Sequence, residues 1–299
     1  MTKFKKMMSL TLAGCMAASA LMMNAGAVSV QDSTPMVASS SAVANYSMPE
    51  QKLNEYQMLK SLNKELHERT LDTSALNDEQ RQTILDYKDF YIEKIQDLKS
   101  FSDDELRNLN YNEEQISAIR LFDTANPDEA LITQAATVVT VNGDFTSYTH
   151  SSKGTTAKFV AEFNCEGIQS NWFKDIFAVA WNTPLNATSL SGYVDYKTAS
   201  GFRQELKATV DDDQLYGSSI TFSKYVYDNI HKATAYIVAG SIIGTLHSNT
   251  DVKDITGLCS YGYNTIRVTP SVSFTASSIS PGLSFSTDIV KLDSHRFYR

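Results

Sequence analysis

Between Leu53 and Phe122 apolar residues recur every three or four positions, and from Thr137 onward they recur at every second one. The first spacing builds helices with one buried face and the second builds strands, so the chain reads as a helical part followed by a β part. Leu53, Tyr56, Leu59, Leu62 and Leu66 make the first helical stripe, which Asp72-Thr73-Ser74 breaks. Asn77, with Gln80 three residues on, predicts a capped restart carrying Ile84, Tyr87, Tyr91, Ile95 and Leu98. Ser102-Asp103-Asp104-Glu105 is a full capping box for a short third helix through Leu106 and Leu109. Asn110 stands where that helix should end in a left-handed residue. Asn112 and Gln115 open a fourth, with Ile116, Ile119 and Phe122, and Pro127 closes the region. The stripe from Leu53 to Leu66 lasts about two heptads, too short for a coiled coil with a partner chain, so packing within the molecule is expected.

In the second part, Val138 to Val141 is a short β-rich run, and Asn142-Gly143 and Lys153-Gly154 predict turns. Phe159, Ala161, Phe163 and Cys165 form one apolar strand face. The stretch 171–182 holds both tryptophans. Phe173, Phe177, Val179 and Trp181 share one of its faces, interrupted only by Asp175, while Trp172, Ile176, Ala178 and Ala180 share the other. A strand apolar on both faces is covered on both, so this one is expected at the centre of the β part. Thr234 to His247 reads the same way, with Tyr236, Val238, Ile242 and Leu246 on one side and Ala235, Ile237, Ala239 and Ile243 on the other. Further runs are Tyr193 to Tyr196, Leu206 to Val210, Ile220 to Tyr227, Tyr261 to Val268, Val272 to Ala276 and Leu283 to Val290. About ten short strands joined by turns imply a sandwich or barrel of antiparallel sheets, of which the sandwich is the expectation carried forward. The expected fold class is therefore α+β in two parts, an N-terminal helical segment and a mainly antiparallel β-sandwich.

The first 47 residues follow neither period. Lys3, Lys5 and Lys6 precede an uncharged apolar run from Met7 to Met23, and Ala25-Gly26-Ala27 supplies small residues at a peptidase site. That is the layout of a secretory signal peptide cleaved after Ala27. A transmembrane anchor is the rival, although the run sits at the short edge of a span. Leu12-Ala13-Gly14-Cys15 also resembles a lipobox, which would place a lipid on Cys15, yet the chain stays apolar just beyond that cysteine. Residues 28–47 are rich in Ser, Ala and Val and read as a flexible linker. The expected organisation is 1–27 signal peptide, 28–47 linker, 48–130 acidic helical region and 131–299 β-sandwich.

Charge sharpens this division. Residues 48–130 carry 19 acidic and 10 basic residues, whereas 131–299 carry 14 and 13. An acidic chain without a basic patch argues against a nucleic-acid partner. Removal of the leader would leave two cysteines, Cys165 and Cys259, which outside a cell could pair as a disulfide or stay as buried thiols. Asp211-Asp212-Asp213 is a weak calcium candidate, lacking the glycine and terminal glutamate of a calcium loop. The five histidines, His67, His150, His231, His247 and His295, show no metal-ligand spacing, and neither a nucleophile elbow nor a phosphate loop is present. No catalytic residue, cofactor or metal is expected from these patterns, and oligomeric state and partner stay open.

Two segments resemble known sequences. Ser102 to Phe122 is similar to a segment of exported proteins of Gram-positive bacteria, S-x-E-E-L-x-x-x-G-Y-x-x-x-Q-I-x-A-I-R, with Asn110 in the glycine position. Trp172 to Trp181 resembles the Asp-Ile-x-Ala-x-Trp core of uncharacterised exported proteins of the same Firmicutes group. The resemblance implies origin and export and brings no activity with it. The expectation is a secreted protein with a binding or structural role. The alternative is a pore-forming or bacteriocin-like protein, for which the alternating Ser/Thr-rich runs 269–280 and 284–287 speak, and membrane contact belongs to that alternative or to lipidation at Cys15. An extracellular hydrolase rests only on export and size.

Overall fold

A computed structural model describes residues 54–70, 78–169, 174–211, 216–264, 271–278, 280–285 and 289–299. The signal peptide, the linker, Cys15, Leu53, Asn77, Trp172 and Phe173 lie outside the described residues.

Among the described residues six helices come first: α1 (Glu55–His67), α2 (Asp78–Leu85), α3 (Tyr87–Leu98), α4 (Asp103–Asn108), α5 (Glu113–Leu121) and α6 (Glu129–Ala135). Three of them begin with the reciprocal side-chain and backbone bonds of a capping box: Asn54 with Gln57, Ser102 with Glu105 and Asn112 with Gln115. The last two were legible in the sequence. Asn110 takes the left-handed conformation at φ 62° after α4, as its place predicts. Helix α6 was not expected. It is only about two turns long, too short to show a stripe, and its one local signal is Asp128, whose carboxylate accepts the Ala130 N–H. It runs across position 130/131, and the described helices and sheets share one core.

Thirteen described strands follow: β1 (Val138–Ser151), β2 (Gly154–Glu166), β3 (Asp175–Trp181), β4 (Asn186–Thr198), β5 (Arg203–Ala208), β6 (Val210–Asp211), β7 (Gly217–Phe222), β8 (Tyr225–Asp228), β9 (Ala233–Ser248), β10 (Thr256–Asn264), β11 (Val272–Thr275), β12 (Gly282–Phe285) and β13 (Ile289–Tyr298). One sheet has the order β1-β2-β9-β4-β5, with β8 also on β9; the other has the order β13-β10-β3-β7-β6; β11 and β12 form a separate hairpin. All the described pairings are antiparallel. The two sheets face one another across an aromatic layer. Phe163 of β2 stacks on Phe222 of β7 at 5.0 Å and meets Tyr261 of β10 edge-on at 4.9 Å, and Phe159 lies 6.0 Å from Trp181. Each buried ring of this kind contributes about 1.5–3 kcal/mol of transfer free energy.

Strand β3 is the middle of its sheet and is buried at every residue, as its two apolar faces require. Phe177, Val179 and Trp181 point into the sandwich, and Ile176, Ala178 and Ala180 occupy the other face, across which β12 lies. Strand β9 is likewise the middle of the other sheet. Its two faces are unequal, however. The register with β4 slips between Asp195 and Tyr196, so Val238 is a bulge and the inward set changes from Ala235 and Ile237 to Gly240, Ile242, Gly244 and Leu246. Tyr236 and Val238 therefore do not share a face, and Ile243 is exposed.

Two turn expectations divide. Lys153-Gly154 is the β1–β2 hairpin. Asn142-Gly143 is no turn, for β1 runs straight through it with Gly143 opposite Ala161. The glycine serves close approach instead, because a Cβ there would come within 2.5 Å of the Phe297 ring. The run Ile220 to Tyr227, expected as one strand, is two. β7 ends in one sheet and β8 begins in the other, with Ser223 and Lys224 making the crossing.

The helices cap one end of the sandwich. The Glu55 N–H donates to Thr137 O, just before β1, at 3.0 Å, and Ile168 N, just past β2, donates to the Tyr111 hydroxyl at 3.0 Å. Asn108 of α4 donates to Ala199 O, just past β4, at 2.9 Å.

Candidate functional site

Two groups of side chains stand out at the capped end, one buried and one exposed. The buried group is built on two ion pairs. Glu55 sits at the first turn of α1, where a carboxylate also meets the positive end of the helix dipole. It accepts Lys94 Nζ at 2.8 Å and the hydroxyls of Tyr91 and Tyr263. Lys94, on α3, gives its other donors to Thr137 Oγ1 at 3.3 Å and Ile168 O at 2.7 Å. Burial alone would raise the Glu55 carboxyl; the Lys94 charge and the hydroxyl donors outweigh it and hold the group at about 2. This pair is ionic, with the three ammonium donors each matched to an acceptor.

The second pair joins the two sheets. Asp175 opens β3, and Lys224 sits on the crossing between β7 and β8. Lys224 Nζ is 3.0 Å from Asp175 Oδ1, with both side chains at 1% exposure or less. The same ammonium rests 3.5 Å from the centroid of the Tyr263 ring. Asp175 Oδ1 also accepts the Asn264 N–H at 2.9 Å, and Oδ2 accepts the Tyr261 hydroxyl. Here burial is the dominant influence on both partners. It pushes the Asp175 carboxyl up and the Lys224 ammonium down, each toward its neutral form. The Lys224 carbonyl accepts Ile237 N–H of β9 at 2.8 Å, so this one residue is tied to one sheet by its backbone and to the other by its side chain.

The exposed group lies on two adjacent hairpins, β4–β5 and β8–β9. Phe202 is 49% exposed, Tyr227 40% and Ile230 85%, three of the seven large hydrophobic residues that stand exposed among the described ones. The Phe202 ring stacks on the His231 imidazole with centroids 3.5 Å apart. His231 Nδ1 lies 2.6 Å from Asp228 Oδ2, and Asp228 Oδ1 also accepts the Ile230 and His231 N–H groups. Those bonds, first the His231 side chain and then its backbone, hold the Asp228 carboxyl below its usual range. The β4–β5 tip rests on α4, where Gly201 at φ +89° packs on the Asn108 side chain.

The residues singled out in the sequence fall elsewhere. Cys165 and Cys259 are free thiols, both buried, so the disulfide alternative is not the one the structure has. Cys165 on β2 pairs with Val139 of β1, while Cys259 Sγ donates to Asn142 O at 3.3 Å and to His295 O at 3.5 Å. Val139 and Asn142 are three residues apart on one strand, roughly 10 Å at about 3.3 Å per residue, beyond the reach of a bridge. Burial raises both thiols, Cys165 to about 12. Asp211 is a strand residue of β6 paired with Ser219, and Asp212 and Asp213 lie outside the described residues. Among the described residues no group of three or more His, Cys, Asp and Glu side chains could hold a metal ion. Each of four histidines takes its own local partner: His67 with Asn63 O, His150 with Asp251, His231 with Asp228, and His247 with Thr156 and Asn249. Glu55, Lys94, Lys224 and the hairpin tips were not singled out in the sequence. Asp175 was visible there only as a break in an apolar face, and one charge in a fully apolar strand is itself the signal of a buried partner.

No protein-family model matches the chain, and no curated protein matches it either. Among solved structures it is similar to the collagen-binding subdomain of the Enterococcus faecalis surface protein ACE, at 8% identity over 54% of this chain and 96% of that one, with a TM-score of 0.29. It is similar to AvmM, which catalyses macrocyclization in alchivemycin A biosynthesis, at 9% identity over 53% and 88%, with a TM-score of 0.23. A pore-forming protein matches at 10% identity over 55% and 91%, with a TM-score of 0.24. Likenesses this slight carry no argument about function. What the chain's own structure establishes is a helix-capped, antiparallel β-sandwich.

Proposed function

We propose that the chain is an exported bacterial protein that binds a partner outside the cell through the two hairpin tips carrying Phe202, Tyr227 and Ile230. The observation that supports this reading is the gathering of exposed apolar side chains on neighbouring loops of a rigid scaffold, the usual place for a contact surface. Aromatic residues held at low entropic cost suit such contacts. The test is a binding panel of immobilised extracellular-matrix proteins, cell-wall polysaccharide and intact Gram-positive cells. A Phe202→Ser/Ile230→Ser double variant should lose retention about tenfold or more on whichever surface holds the parent, about 1.4 kcal/mol or more. Equal retention of parent and variant would sink the reading.

Export is tested in the producing cell. The culture supernatant should contain a chain beginning at Val28, as N-terminal sequencing would read it. A membrane-bound chain beginning at a lipidated Cys15 would replace release with anchoring.

The second reading, a pore former, has one observation in its favour: β11 and β12 stand apart as their own hairpin. Each strand has four residues, against the roughly 9–11 that a membrane-spanning strand needs. Dye release from liposomes at micromolar protein would favour the pore over the binding role.

A further inference from the structure

We propose that Lys224 and Asp175 join covalently, as an intramolecular amide between the lysine Nζ and the aspartate Cγ. Three features of the buried pair lead there. The amine and the carboxyl are already in contact at 3.0 Å, inside a sandwich that holds both at 1% exposure or less. Fixing two reactants this way replaces an encounter in solution with a step of very high effective concentration. The setting also favours the reactive forms. An ammonium and a carboxylate do not condense, whereas a neutral amine and a neutral carboxylic acid do, and burial shifts both groups toward those forms. Finally, the donors around the carboxyl are placed for the chemistry. The Tyr261 hydroxyl holds Oδ2, and the Asn264 N–H holds Oδ1 at 2.9 Å.

The step balances without any outside reagent. A proton passes from Lys224 Nζ to Asp175 Oδ1, giving the neutral pair. The free amine attacks Cγ and the C–N bond forms, with charge developing on Oδ2, where the Tyr261 hydroxyl donates. A second proton leaves the nitrogen for Oδ1, the Cγ–Oδ1 bond breaks, and one water departs. The product is an amide whose carbonyl oxygen, Oδ2, keeps the Tyr261 hydrogen bond.

The neighbouring pair shows why this one is chosen. Glu55 is held ionised by Lys94 and two hydroxyls, and Lys94 has an acceptor for each of its three donors. Burial lowers the Lys94 ammonium as it does that of Lys224, so the two pairs differ at the carboxyl, which is held down in Glu55 and pushed up in Asp175. The product would also have a distinct structural effect. Because the Lys224 backbone is bonded to β9, the amide would staple one sheet to the other at the capped end.

The experiment is mass spectrometry of the purified full chain, denatured and digested with trypsin, in the absence of any binding partner, so that it stands apart from the proposed binding role. The expected product is peptide 175–197 joined to peptide 208–232, one water lighter than their sum and uncut after Lys224. Lys224→Met and Asp175→Ala should each give unlinked peptides. Should either variant fail to fold, the parent chain decides alone: separate peptides 175–197 and 208–224, at full mass, would overturn the proposal.

Discussion

A single buried carboxylate, Glu55, takes Lys94 and Tyr91 of α3 and Tyr263 of β10 as partners. Removing the cation that balances it, as in Lys94→Met, should cost about 3–5 kcal/mol, because an uncompensated charge stays behind in the interior. Chemical denaturation of parent and variant would measure it. The same carboxylate sets an acid response. It titrates at about 2 in the folded chain against 4.5 for the ordinary group, so the unfolded chain takes up the proton first as pH falls. Its contribution, on the order of 3 kcal/mol, is complete above the ordinary value and disappears between the two. Denaturation midpoints should therefore fall less steeply between pH 4.5 and 2 in Glu55→Gln than in the parent. The cysteines give a simpler expectation. A thiol reagent should leave Cys165 and Cys259 untouched in the native chain and modify both after denaturation, whereas an unreactive denatured chain would mean a disulfide after all. None of the buried polar partners could be read from spacing, since they join positions far apart in the sequence. The caps at Ser102 and Asn112 could, because each is made within one turn.

Among the elements, legibility followed length and locality. The strands with the plainest apolar patterns, β3 and β9, proved to be the middle members of their sheets, although only β3 is buried on both faces while β9 leaves Ile243 exposed. Errors arose where tertiary packing assigned a residue a different use from its local preference. Asn-Gly is a hairpin sequence in isolation, yet at 142–143 it lies inside β1 because the Phe297 ring needs the space. Gly143→Ala should consequently cost about 1–3 kcal/mol through overpacking, seen as a lowered Tm. Lys224 cut a second apparent strand in two, since its side chain and its backbone belong to different sheets. The bulge at Val238 exchanged the faces of β9, an event with no signature in the alternation itself.

For the whole molecule, the two-part composition does not produce two separate cores. The acidic helices and the nearly neutral sheets share one apolar interior, and polar bonds also cross between them: Glu55 to Tyr263, Lys94 to Ile168 O, Tyr111 to Ile168 N. The sandwich class was readable from the number and alternation of the strands, but the way the helices seat on it was not. The candidate contact surface escaped the sequence for the same reason. Phe202 and Ile230 look like ordinary apolar residues until the fold places their loops side by side. Substituting them should change stability by less than about 0.5 kcal/mol, because neither is buried, which separates a lost contact from a lost fold.

The bond between Glu55 and Tyr263 spans 208 residues of chain. A growing polypeptide cannot complete the contacts of α1 until nearly all of it has been synthesised, so this junction acts as a latch that shuts last. Until then the acid at position 55 has Lys94 and Tyr91 but lacks the hydroxyl from β10, and fragments ending before residue 263 should show the helical segment more open to proteases than the full chain does.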